Sequence, residues 1–280
     1  MTAEVHTLGP VIVPAAVAAA LFLWWFSTGA LIWLAGAALG RGAGRSLVLG
    51  AGALALGAAL VGLDALGAYQ GPMAVYLSFL CGLAAWGVVE VAFLTGALTG
   101  PVARPCPPDA RGPRRFALAL GTLLWHELAL VAVGLAMIAI TMGAETRTGT
   151  LAFALLMAMR VSAKLNLFLG VPYPPAELLP RPLAHLESYF RVRRPTLLLP
   201  LSVTAATAAA TVIAWLAAEP GLDPTALTGY ALLWTLLVLG ILEHWFLILP
   251  VREAALWRWF TGHLAIEARP AARHSVRASP

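Results

Sequence analysis

The sequence predicts an all-α, polytopic membrane protein with about seven transmembrane helices, and three observations carry that prediction. Of the 280 residues, 60% are hydrophobic and only 11% charged, a balance that a soluble domain of this size does not reach. The apolar residues fall in runs of about 20 or more, the length needed to cross hydrocarbon as a helix. The charged residues fall mostly between these runs.

Hydropathy read against loop chemistry places the spans at about 11–39, 47–68, 73–98, 116–142, 150–171, 197–217 and 227–250. The first, Val11 to Gly40, lacks a basic leading segment and is too long for a signal-peptide core, so it reads as a retained span. The second carries Gly50, Gly52, Gly57, Gly62 and Gly67, small residues that allow close helix contact. Spans three to seven alternate with short connections, except for two longer loops. Residues 99–115 are rich in proline and arginine. Residues 172–196 hold six prolines, with Leu183, Leu186 and Phe190 at helical spacing between them. That spacing predicts either an ordered loop or a short helix lying in the membrane interface. Such a helix would turn its apolar stripe down and point Arg191, Arg193 and Arg194 at lipid phosphates.

The net charge of +5 follows orientation and not a nucleic-acid partner. Fifteen of the 18 basic residues lie in alternate connections and the tail, including Arg41, Arg45, Arg104, Arg115, Arg181, Arg252 and Arg273. The opposite side holds Arg147 with Glu4, Glu145, Glu219 and Asp223. The positive-inside rule then predicts a periplasmic N-terminus and a cytoplasmic C-terminus. Residues 1–250 form the transmembrane domain and 251–280 a cytoplasmic tail. Trp257 and Trp259, near the end of the last span, read as interfacial belt residues. The two cysteines, Cys81 and Cys106, offer no disulfide framework.

Function is sought in the ionisable residues that interrupt the spans. Glu90, His126, Glu127, Arg160, Lys164, Glu243 and His244 all lie inside apolar stretches, with Asn166 close by. A charge at the bilayer centre costs about 2.5–3.5 kcal/mol, so such residues face protein and mark sites. A helix rise of about 1.5 Å per residue puts all of them between the midplane and the cytoplasmic interface. Glu90, Glu127, Arg160, Lys164, Asn166 and Glu243 therefore read as one buried polar network. A network that merely fixes helix register accounts for the same charges. His126 and His244 are the candidate cofactor ligands, because a neutral imidazole can bind a metal ion or the magnesium of a chlorophyll-type ring. A carboxylate-bridged di-iron site is disfavoured, since His126–Glu127 and Glu243–His244 are adjacent instead of sharing a helix face at i, i+3. No Gly-x-Ser-x-Gly, P-loop or His-Glu-x-x-His pattern occurs. No catalytic residue is assigned, and the metal is unknown.

Several strings then converge. Phe22-Leu-Trp-Trp-Phe-Ser-Thr-Gly29, Trp125-His-Glu-Leu-Ala129, Arg160-Val-Ser-Ala-Lys-Leu-Asn-Leu-Phe-Leu-Gly-Val-Pro172, Leu183-Ala-His-Leu-Glu-Ser-Tyr-Phe190 and Leu242-Glu-His-Trp-Phe246 resemble the PuhE-like photosynthetic complex assembly proteins of purple phototrophic bacteria. The resemblance covers most of the chain. It implies a multi-pass protein of the bacterial inner (intracytoplasmic) membrane, encoded near the reaction-centre H subunit. It also implies a role in assembling the reaction centre and core antenna, or in controlling bacteriochlorophyll supply. Expected partners are reaction-centre or core-antenna subunits and membrane lipids, and the expected ligand is bacteriochlorophyll or a precursor. Two rivals remain open on the residues alone. One is a membrane enzyme or metal-dependent factor of tetrapyrrole metabolism using His126, Glu127, Glu243 and His244. The other is a small-molecule transporter whose Arg160 and Lys164 meet an anion.

Overall fold

The computed structural model describes residues 2–40, 44–176, 179–251 and 253–257. Seven helices are long and apolar enough to cross a membrane: α1 (Thr2–Gly40), α2 (Gly44–Leu66), α3 (Pro72–Leu94), α4 (Gly112–Ile140), α5 (Thr148–Leu169), α6 (Leu198–Ala217) and α7 (Pro224–Phe246). No strand occurs among the described residues. The chain is a multi-pass, all-α membrane protein. Of the predicted tail, residues 252 and 258–280, with Arg252, Arg258, Arg269, Arg273 and Arg277, lie outside the described residues, as do Arg41 and Trp259.

Local chemistry explains where the helices start. Proline opens α3, α4 and α7 within their first turns, where a missing N–H costs nothing and the fixed φ suits a helix. Asp223 caps α7 by accepting from the backbone N–H groups of Thr225, at 2.8 Å, and Ala226. This satisfies donors that the first turn would otherwise leave free.

Helix α3 is the hub. Helices α1, α2, α4, α5 and α7 each pack on it and on their neighbours around it, while α6 lies outside against α7. One core joins Phe79 and Leu83 of α3 to Leu232 and Leu236 of α7 and Ala16 and Ala20 of α1. A second joins Ala85 and Val89 of α3 to Leu63, Leu130 and Phe153 of its other neighbours.

The packing is close where the first turn of α5 crosses the first half of α3. A Cβ on Gly82 would sit 2.3 Å from the carbonyl oxygen of Gly149, and one on Gly149 would sit 2.0 Å from that of Ser78. Only glycine lets these two backbones touch. The Gly149 N–H also donates to Ser78 Oγ at 3.0 Å. Farther along the same helices is the site described below.

Two loop expectations change. Helix α3 ends at Leu94, before the predicted 98, and the proline- and arginine-rich connection first runs back along α4. The Thr99 carbonyl accepts from the N–H groups of Trp125 (2.9 Å) and His126 (3.1 Å), while the Val102 N–H donates to the Gly121 carbonyl at 3.1 Å. Backbone inserted into a helix ladder opens a turn without stranding polar groups. The proline-rich segment, read as a possible interfacial helix, holds a 3₁₀ helix, Arg181–Tyr189. Its period of three aligns Leu183, Leu186 and Tyr189, which are buried. Leu183 and Leu186 pack on Phe93 and Leu123, so the stripe faces the helices and not lipid.

Candidate functional site

Between these helices lies a cleft of about 340 Å³, within the range of small-molecule sites. Its charged residues are Glu90 of α3, Arg160 and Lys164 of α5 and Glu243 of α7. Trp24, Trp86, Phe93 and Phe168 supply aromatic faces, and the 3₁₀ segment closes one end with Leu183 and Leu186.

The charges come from different helices and find partners. Arg160 donates to Glu90 Oε2 at 3.3 Å, and Glu90 is 4% exposed. Lys164 Nζ lies 2.6 Å from Glu127 Oε1 and 5.8 Å from the centre of the Phe93 ring. Glu243 is an electrostatic neighbour of Arg160 and accepts from Trp24 Nε1 at 3.1 Å. These links join α3, α4, α5, α7 and α1. Asn166 is the exception: it is fully buried but donates to the Ser162 carbonyl at 3.0 Å and lies 3.5 Å from Ser202 Oγ of α6. It stands apart from the charged group.

The two histidines sit behind the cleft, and neither is among its lining residues. His126 is fully buried, its ring centre 4.4 Å from that of Phe93 and its Nε2 3.6 Å from Glu90 Oε1. Glu90 Oε1 and both His126 ring nitrogens have no hydrogen-bond partner among the described residues. His244 is saturated. Its Nδ1 bonds the Gly240 carbonyl at 2.8 Å and its Nε2 meets Ser162 Oγ at 2.9 Å. A carbonyl only accepts, so Nδ1 carries the proton and Nε2 accepts from the serine. No lone pair of His244 is left for a metal or a pigment magnesium. Among the described residues, no group of three or more His, Cys, Asp or Glu is placed to hold a metal ion.

Sequence reasoning missed several parts. Trp24 was one of many tryptophans, and nothing in its local pattern points to Glu243. Arg115 was counted as a loop charge, yet it is 5% exposed. It donates to the carbonyls of Phe168 (3.1 Å) and Tyr189 and stacks 4.2 Å over the Phe168 ring. It thereby ties α4, the end of α5 and the 3₁₀ segment over the cleft. Burial pushes the Tyr189 hydroxyl above its ordinary range, and that hydroxyl donates to the Arg104 carbonyl at 3.2 Å. Trp257, expected in the belt, is 5% exposed. It donates to the Trp25 carbonyl at 3.3 Å and packs edge-on against Trp24.

Comparison with known proteins places this architecture. Residues 11–267 match a family model described as "Protein of unknown function (DUF3623)". A Rhodobacter capsulatus protein described as "Uncharacterized 30.4 kDa protein in puhA 5'region" is 39% identical over 241 residues, covering 85% of this chain and 87% of that protein. No solved structure matches. The chain belongs to the DUF3623 family, the PuhE-like family that its motifs resemble.

Proposed function

We propose that this protein is an inner-membrane assembly factor for the photosynthetic reaction centre and core antenna, and that it works by holding bacteriochlorophyll or a precursor in the cleft. The observation that carries this reading is the relative named for the puhA 5′ region, taken with a family resemblance that implies genes near the reaction-centre H subunit. The cleft supports the handling step. It is apolar and aromatic on its walls, polar at its floor, and inside the helical bundle. Axial ligation by histidine is not part of the proposal, because His126 and His244 do not line the cleft. The residues that would hold such a molecule are Trp86, Phe93 and Phe168 for its body and Arg160 and Glu243 for its polar edge. The partner is a reaction-centre or core-antenna subunit, received while pigment is being supplied.

Deleting the gene of the R. capsulatus relative tests this reading. Membranes of the deletion strain should show reduced reaction-centre and core-antenna absorbance, restored when the present chain is supplied in trans. Core absorbance unchanged by the deletion contradicts the assembly role.

The orientation belongs to the same proposal, with the N-terminus periplasmic and the C-terminus cytoplasmic on the positive-inside rule. A reporter fused after Ser279 should read as cytoplasmic and one inserted near Asp223 as periplasmic. Both reporters in one compartment would contradict seven spans with this orientation.

A further inference from the structure

The valences at the cleft floor are incomplete in a specific way. A guanidinium has five N–H donors, and among the described residues the only hydrogen bond of Arg160 is the one to Glu90. Its side chain is 43% exposed, in a chain whose Glu90 carboxylate is 6% exposed, and it lines the cleft. Glu243 also lines the cleft and, among the described residues, has one donor, the Trp24 N–H, on one of its two oxygens. The site therefore presents unused donors and an unused acceptor side by side.

Charge narrows the ligand further. Glu90 is paired with Arg160 and Glu127 with Lys164, and Glu243 is a third carboxyl group, which shares Arg160 with Glu90. A ligand arriving as an anion would add a further acidic group to three that already face two cations. A cation would have to approach the Arg160 guanidinium. A neutral carboxylic acid avoids both costs, since its carbonyl accepts from a guanidinium while its O–H donates to a carboxylate. It is also the form of an acid that hydrocarbon tolerates.

We infer that the cleft binds an amphipathic carboxylic acid in its neutral form, with the carboxyl group between Arg160 and Glu243 and the apolar body against Trp86, Phe93 and Phe168. The inference rests on the cleft being the ligand-handling site proposed above and adds which form of ligand it selects: the free acid over the ester. A ring acid and a fatty acid share this chemistry. Flat aromatic walls favour the ring, because aromatic faces stack on flat partners.

The test uses the full chain in lipid nanodiscs and follows tryptophan quenching. The probes are pyropheophorbide a, a metal-free tetrapyrrole monocarboxylic acid, its methyl ester, oleic acid and methyl oleate. Losing a charge-assisted hydrogen bond in an apolar site weakens binding about tenfold, so each acid that binds should do so about tenfold more tightly than its ester. Binding of the ring acid alone identifies the body as a macrocycle, and binding of oleic acid alone identifies it as an acyl chain. Arg160→Lys keeps the charge opposite Glu90, and Glu243→Gln keeps an acceptor for Trp24, so both variants should fold. Glu243→Gln removes the charged acceptor of the acid O–H and should bring the acid–ester ratio toward one, whereas Arg160→Lys weakens the contact to a carbonyl that acid and ester share and should weaken both. Equal affinity for acid and ester, no binding of either acid, or a preference that survives Glu243→Gln would overturn the inference. If the deletion phenotype held while acid selectivity failed, the assembly role would stand without this ligand form. If selectivity held without a deletion phenotype, the assembly role would fall instead.

Discussion

Replacing Arg160 by leucine is expected to cost about 3–5 kcal/mol of folding stability, because it strands the Glu90 carboxylate inside the bundle. Glu90 is 4% exposed, so water cannot take over the role of the lost guanidinium. Its other oxygen already lacks a hydrogen-bond partner among the described residues. The matched control is Arg114→Leu, which breaks the Asp109 pair with side chains 62% and 66% exposed. Exposed pairs contribute only about 0–1 kcal/mol. Thermal denaturation in one detergent should therefore separate the two variants clearly. Adding Glu90→Gln to Arg160→Leu should recover much of the loss, since removing both partners leaves no stranded charge. Similar melting of Arg160→Leu and Arg114→Leu would show that the ion pair does not carry the bundle interior.

Substituting Gly149 by valine should be comparably damaging through shape alone. The first added atom would lie 2.0 Å from the Ser78 carbonyl oxygen, and the obstacle is backbone, not a side chain that can turn away. Helices α3 and α5 must separate, which opens the close contact between two helices that line the cleft. Overpacking of this kind costs about 1–3 kcal/mol, and more where nothing can yield. Gly50 gives the opposite sign. Nothing lies within 4 Å of a Cβ built there, so Gly50→Ala should stabilise helix α2 by roughly 0.5–1 kcal/mol. Equal melting temperatures for Gly149→Val and Gly50→Ala would contradict the close crossing.

The contrast between these positions shows what a single sequence reveals. The spans were legible because bilayer thickness imposes a length and a composition on each helix separately. The charged residues were legible because a charge in hydrocarbon needs a partner, and helix rise converts position into depth. Which glycines touch backbone was not legible. Gly149 and Gly50 look alike in sequence and differ only in the helix that lies opposite. The partner of Glu243 was hidden for the same reason, since Trp24 is 219 residues away. Leu183 and Leu186 were recognised as a stripe, but their spacing could not say that Phe93 and Leu123, not lipid, lie beneath them. For the histidines, residue type suggested ligands, whereas orientation decided against His244. Ser162 and the Gly240 carbonyl already occupy both of its nitrogens.

The proposed handling role stands or falls on whether the cleft holds pigment in the cell. The direct measurement is the absorption spectrum of the full chain purified from phototrophically grown cells, compared with Ala163→Trp. Ala163 lines the cleft, and an indole there occupies the space a ligand would need. The wild-type chain should carry a red or near-infrared pigment band, and a monodisperse Ala163→Trp protein should lack it. A wild-type chain without pigment, or a band undiminished in Ala163→Trp, would contradict the cleft as the handling site.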